Sequence, residues 1–217
     1  MTFRDSRGRT LEDYPRPSVA ADTAVLTIRD MRLSVLLTLT NDAAWGGAVE
    51  YRLPGTFLHP AETLVDAARR SLREKAGAEG LTPRQLHTFD DPERDDRGWV
   101  LSVAHYDVVR AERLPESDRV HIVPVDALPP LKYDHAQIVA FAVDALRTDY
   151  RRSPDPRGLL EIPFTMRQLR ELHAVVLGER LLPDTFRRSM LPGLETTGEV
   201  FSKGRGRPAE LYRRATA

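Results

Sequence analysis

The chain has no cysteine, which excludes disulfides and thiol catalysis. No window approaches about 18 uncharged apolar residues, so no membrane span is expected. The first stretch, "MTFRDSRGRTLEDYPRP", lacks the apolar segment that a secretory signal requires. These absences together predict a cytoplasmic protein with no membrane partner. Net charge is missing too, since 32 Lys+Arg balance 32 Asp+Glu, but the balance hides an asymmetry. Residues 151–217 hold 13 basic and 8 acidic side chains, a net of +5, and the remaining 19 and 24 leave residues 1–150 at −5. A basic segment joined to an acidic one predicts two jobs, with a polyanion as partner of the basic part.

What remains is a chain of 217 residues with 41% hydrophobic side chains, long enough for a medium and a small globular domain. Residues 1–18 read as an arm. "ADTAVLTI" and "RLSVLLTLT", either side of a short turn, read as a β-hairpin. A short strand at Glu50–Leu53 runs into the breaker Pro54-Gly55. Thr63 and Asp66 approximate a capping box, and Leu64, Ala67, Ala68, Leu72 and Ala76 recur at helical spacing until Gly77 or Gly80. "LHTFDD" and "GWVLSVAHYDVV" are predicted strands around the loop "DPERDDRG"; "VHIVPV" is another strand, and "HAQIVAFAVDALRTDYRR" an amphipathic helix.

"RSPDPRG", with two prolines and a glycine, marks a boundary. The domains expected are 19–151 and 161–217, joined by a linker at 152–160. Thr165 and Gln168 form a second capping box. Asp184 is the expected N-cap of a short helix over Thr185–Leu191, with Phe186, Met190 and Leu191 in the small core. Two strands then flank "SKGRGRP", with Phe201 and Tyr212 as their core residues.

The stretch "LPGTFLHPAETLVDAARRSLREKAGAEG" resembles the Nudix box. Glu62 precedes Arg70 by eight residues, Glu74 by twelve and Gly77 by fifteen, all matching the family's spacing. The resemblance covers roughly residues 19–150. It implies a domain descended from hydrolases of nucleoside diphosphate derivatives, in which carboxylates on one helical face hold Mg²⁺. Here those three positions carry Ser71, Glu74 and Lys75, and the box's glycine position carries Thr56. The expectation is therefore no catalytic residue, no required cofactor and no dedicated metal site, with room for residual Mg²⁺. The implied ligand residues are Arg52, Glu62, Arg70, Glu74 and His135. Glu62, Arg70 and Glu74 read equally as an ion-pair set that holds loop to helix, and His135 reads also as a capping or packing residue. No HxxxH or HExxH spacing links the six histidines, which argues against zinc.

The segment from "FTMRQLRELHAVVLGERLLPDTFRRSML" through "LETTGEVFSKGRGRPAELYR" resembles the winged helix-turn-helix of Nudix-related transcriptional regulators of NAD metabolism. The fold expected is thus α+β: a Nudix-like α/β/α sandwich followed by a small winged helix-turn-helix domain. A recognition helix would present Thr185, Arg187, Arg188 and Ser189 to DNA, reading bases or gripping phosphates. The backbone at Thr165 would meet a phosphate, and Lys203, Arg205 and Arg207 would form the wing tip. The resemblance further implies a homodimer on palindromic operator DNA, repression, and ADP-ribose or a related nucleotide as the effector that releases DNA. Two other readings stay open. One is an active Nudix hydrolase with an auxiliary C-terminal domain, the other a ligand-binding interaction protein that never touches DNA.

Overall fold

The structure, a computed structural model, describes residues 3–41, 49–115, 117–202 and 208–215. Its centre is strand β1 (Ser18–Arg29), paired antiparallel with β2 (Arg32–Asn41) and parallel with β6 (Val100–Val108). The mixed seven-stranded sheet also holds β3 (Val49–Arg52), β4 (Gly55–Phe57), β5 (Arg84–Phe89) and β7 (Val120–Pro124). A strand buried on both faces reads as a continuous apolar run, and β1 does so because helices cover both sides. Ala24 and Leu26 face α2 (His135–Arg152), in one cluster with Ile138, Val139, Leu146 and Tyr150. Val25 faces the other way, packing with Leu36 and with Leu72 and Ala76 of α1 (Leu64–Ala76). Leu72 is fully buried, which contributes about 1.5–3 kcal/mol. This is the expected α/β/α sandwich.

The helix punctuation follows the sequence at α1. The Thr63 hydroxyl oxygen accepts from the Asp66 N–H, and Gly77 closes the helix at φ 64°. That left-handed conformation favours glycine, so Gly77, not Gly80, is the stop. Gly55 is not just a turn residue. It opens β4 opposite Asp22 of β1, and a Cβ there would lie 1.8 Å from the Asp22 carboxylate. The breaker Pro54-Gly55 hid this three-residue strand from the sequence reading.

The C-terminal domain has β8 (Phe164–Thr165), α3 (Met166–Leu177), α4 (Pro183–Met190), β9 (Leu194–Phe201) and β10 (Ala209–Arg214). β8, β10 and β9 form a three-stranded sheet. Phe164, Leu169, Phe186, Met190 and Tyr212 make the small core. Three expectations fail here. α4 starts at Pro183 with Leu182 as N-cap, because proline suits the first helical position; Asp184 lies inside the first turn. Leu191 sits in a 3₁₀ turn after α4 and is 39% exposed. Phe201 is 51% exposed, at the end of β9 beside the exposed Val200.

The two domains share a core. Leu172 and Val176 of α3 pack in the same cluster as α2 and the large sheet. The segment expected as a linker is a built joint around Asp155, which is fully buried at φ 44°. Its carboxylate accepts from the Tyr150 hydroxyl at 2.8 Å, the Leu159 and Leu160 N–H groups at 2.8 and 3.0 Å, and Arg214 at 2.6 Å. Its own N–H donates to His173 Nε2 at 3.2 Å. One side chain thereby ties α2, the joint and β10, and its backbone adds α3.

Candidate ligand pocket and nucleic-acid interface

At the carboxyl end of α1 and the amino end of α2 lies a cavity of about 140 Å³, lined by Asp22, Arg52, Lys75, Arg94, Arg97, Tyr133 and His135 among others. Its electrostatics begin with Asp22, placed in the apolar β1 and almost fully buried. Burial pushes the Asp22 carboxyl up, but the His135 imidazole, a 2.6 Å hydrogen bond from the Ser102 hydroxyl and the nearby Arg94 outweigh it and hold the group at about 2. An Asp22 carboxylate oxygen lies 3.5 Å from His135 Nε2, and the other lies 3.6 Å from the Arg94 guanidinium. His135 stands at the first turn of α2, and its Nδ1 accepts from the Leu53 N–H at 2.9 Å.

Three cations of the cavity are already paired: Arg52 with Glu50 at 2.5 Å, Arg94 with Asp134 at 2.5 Å, and Arg97 with Asp95 at 2.6 Å. Lys75 is different. Its stem is exposed, but its ammonium turns inward and donates to the Gly55 carbonyl. Among the described residues no carboxylate lies within 4.0 Å of it. Burial lowers the Lys75 pKa; Asp22 opposes this, while Arg52, Arg97 and Arg70 add to it. The cavity thus holds an ammonium with no carboxylate in direct contact among the described residues, beside the guanidinium groups of Arg52, Arg94 and Arg97. An oxyanion with several acceptor oxygens would satisfy it. Tyr133 lies under Arg97 at 5.2 Å and under Arg52 at 5.8 Å, and Phe57 under Arg97 at 5.0 Å, so the guanidinium groups are stacked as well as paired.

The expected ligand residues divide. Arg52 and His135 line this cavity. Glu62 and Arg70 do not: Arg70 donates from Nε and one amino nitrogen to the two Glu62 oxygens at 2.8 and 2.9 Å. The same guanidinium binds the Thr56 hydroxyl at 3.1 Å and the Phe57 carbonyl at 2.9 Å, and Glu62 accepts from the His59 N–H at 3.0 Å. That bidentate pair pins the loop onto α1. Glu74 is exposed, 3.8 Å from Arg70, and opens with Lys75 onto a neighbouring cavity of about 670 Å³. Asp22, Arg94, Arg97 and Tyr133 were missed. A charged residue inside the run "ADTAVLTI" was a signal for Asp22; nothing in the polar loop "DPERDDRG" distinguished its arginines.

A divalent metal, which the Nudix resemblance implies, does not fit these residues. Ser71 is fully buried, with its hydroxyl unpartnered among the described residues. Lys75 puts a cation on the same face, leaving Glu74 as the one carboxylate of the three positions. A hard cation needs several oxygen ligands, and no group of three or more His, Asp or Glu side chains suited to a metal occurs among the described residues. The room left for residual Mg²⁺ is therefore not supplied by this helix face.

In the C-terminal domain, Thr185, Arg187, Arg188 and Ser189 all lie exposed on α4, opposite the buried Phe186 and Met190. Arg187 is held over the Tyr212 ring at 5.8 Å and lies 3.8 Å from Glu210. Arg188 makes no hydrogen bond or ion pair among the described residues. The Ser189 hydroxyl donates to the Phe186 carbonyl at 2.9 Å. Thr165 is buried, with its hydroxyl and N–H both engaged by Gln168 in the capping box, so it shapes the start of α3 instead of offering its own groups. Lys203, Arg205 and Arg207 lie outside the described residues.

Comparison with known proteins agrees with this architecture. The sequence pattern of the NUDIX domain matches residues 19–142, and that of the NrtR DNA-binding winged helix domain matches residues 156–214. The chain is 28% identical over 211 residues to the ADPR responsive transcriptional repressor NtrR of Acinetobacter baylyi, covering 93% of this chain and 83% of that one. It is also 28% identical over 129 residues to an ADP-ribose pyrophosphatase of Methanocaldococcus jannaschii, covering 58% of this chain and 73% of that one. The crystal structure of Shewanella oneidensis NrtR complexed with a 27mer DNA superposes with a TM-score of 0.73 at 29% identity, covering 91% of this chain and 93% of that one. The chain belongs to the Nudix family, and its Nudix domain is followed by a DNA-binding winged helix domain of the NrtR type.

Proposed function

We propose that this protein is an ADP-ribose-responsive DNA-binding repressor whose Nudix domain senses the nucleotide without hydrolysing it. The observation that carries the reading is Lys75. A lysine stands on the helix face where the metal carboxylates of a hydrolase would be, and its ammonium enters a cavity rich in cations. Such a site attracts a diphosphate but assembles no metal to activate water. The similarity to the Acinetobacter repressor and to the DNA-bound Shewanella protein supports DNA as partner and a response to ADP-ribose; release from an operator by that nucleotide and control of NAD-related genes complete the proposal. A homodimer on a palindromic site and a cytoplasmic location belong to the same reading. α4 is the element for the major groove, with Thr185, Arg187 and Arg188 forward.

The similarity to the archaeal pyrophosphatase favours one rival, an active hydrolase. Product analysis after incubation with ADP-ribose and Mg²⁺ or Mn²⁺ separates the two. The expected result is unchanged ADP-ribose. Robust turnover that Glu74→Gln abolishes would establish the hydrolase instead.

A further inference from the structure

The β9–β10 hairpin is irregular close to its end. Thr196 and Val200 of β9 pair with Tyr212 and Glu210 of β10, so β9 advances from 196 to 200 while β10 covers only 210 to 212. The excess is a bulge around Gly198, whose φ is 78°. It is pinned by two threonines. The Thr196 hydroxyl oxygen accepts from the Gly198 N–H at 3.2 Å, and the Thr197 hydroxyl oxygen accepts from the Glu199 N–H at 3.3 Å. The Thr197 hydroxyl donates in turn to the Leu211 carbonyl at 3.2 Å. A bulge re-aims the strand beyond it. Beyond this one stand Val200, 62% exposed, and Phe201. Directly paired residues share a face of the sheet, and neighbours alternate. Val200 therefore lies on the face of its partner Glu210, and Phe201 on the opposite face with its partner Ala209. The hairpin end is apolar on both faces. It also lies beside α4, since Glu210 is 3.8 Å from Arg187.

Resting on the reading of α4 as the major-groove element, we propose that Val200 and Phe201 form an apolar wedge that enters the adjoining minor groove and kinks the duplex there. Three features converge on DNA as the occupant. Exposed apolar side chains on opposite faces of one narrow hairpin suit a base step opened from the minor groove, where wedges of this chemistry insert. The sequence that follows, "SKGRGRP", holds three cations and no carboxylate, which complements phosphates on either side of such a step. The contact between Arg187 and Glu210 sets the wedge beside the helix that carries Thr185 and Arg188. The wedge reads sequence without hydrogen bonds to bases. Pyrimidine–purine steps unstack most easily, so operators with such a step at this place are favoured.

The test uses the full chain and an upstream duplex from the protein's own gene, dye-labelled at both ends. Energy transfer between the dyes reads the bend, and anisotropy reads the affinity. Wild type is expected to bring the duplex ends closer together. Phe201→Ala is expected to remove most of that change and to weaken binding about tenfold, by the loss of a buried phenyl group. The slope of log affinity against log salt is expected to stay the same, because no charge is removed. Phe201→Leu, which keeps an apolar wedge, is expected to retain both bend and affinity. Phe201 is exposed, so both variants are expected to melt with the wild type. If wild type binds the duplex but leaves it straight, or Phe201→Ala bends it as wild type does, the wedge alone is overturned. If wild type does not bind the duplex, the reading of α4 falls and the wedge with it. Unchanged DNA affinity in Phe201→Ala with altered sedimentation of the free protein would assign the pair to contact with a second copy of the chain instead.

Discussion

Asp155 shows how much a single side chain can organise. It sits between two prolines in "SPDPRG", where the sequence offers only a turn signal, yet four donors from α2, the joint and β10 converge on it. Asp155→Ala would leave buried donors unpaired, each at about 1–3 kcal/mol. Urea unfolding is expected to show a loss of at least about 3 kcal/mol, with a smaller loss in Asp155→Asn, which keeps the shape and tolerates φ above zero. Equal stability of Asp155→Ala and wild type would contradict the role. Its neighbour His173 is fully buried, and burial pushes its pKa down to about 4, against a small opposing effect of the Tyr150 backbone. A histidine depressed in the fold contributes stability that is present above its unfolded pKa near 6.5 and is lost as pH falls towards 4, on the order of 3 kcal/mol in all. His173→Gln is expected to flatten the stability profile between pH 6.5 and 4; an unaltered slope would count against it. Ser71 and Lys75 hold two of the three metal-carboxylate positions of the Nudix helix, and a carboxylate would meet different surroundings at each. Ser71 is sealed, so Ser71→Glu would bury a carboxylate and unsettle the core. Lys75→Glu is the cleaner substitution, because the Lys75 stem is exposed.

Elements were legible in the sequence where period and caps agreed. α1 and α3 combine helical spacing with a capping signal at the N-terminus, α2 shows its apolar stripe alone, and β1 and β2 read as apolar runs either side of a short turn. Elements whose form depends on a distant partner were not legible. β4 exists because β1 offers it an edge beside Asp22. The site divides the same way. Spacing located the Nudix helix and Lys75 on it, while the guanidinium groups of Arg94 and Arg97 reach the cavity through a loop that has no period to read. On α4, the arginines were legible as a pair but not as unequal. Arg187 is steadied by Tyr212 and Glu210; Arg188 reaches into solvent. If Arg188 grips a backbone phosphate, Arg188→Ala should reduce the slope of log affinity against log salt by about 1. Fluorescence anisotropy on an upstream duplex from the protein's own gene measures it. An unchanged slope would remove Arg188 from the phosphate contacts.

For the molecule as a whole, the charge division seen in composition has a spatial meaning: the winged helix domain carries the basic excess, and the cationic cavity sits in the acidic part. What composition did not reveal is how firmly the parts are joined. α3 belongs to both cores, and Asp155 links α2 to β10. A change at the start of α2, where His135 meets Asp22, therefore has a continuous packed route to α4 through Tyr150, His173 and Phe186. In the proposed dimer, two winged helices must fit two half-sites at once, so a few ångströms of displacement along this route would uncouple them, and the coupling would be reciprocal. The most direct test is titration of ADP-ribose into the full-length protein bound to an upstream duplex, with EDTA present and anisotropy as the readout. The account predicts release of the DNA without any metal and without loss of ADP-ribose; DNA binding that persists at millimolar ADP-ribose would contradict it.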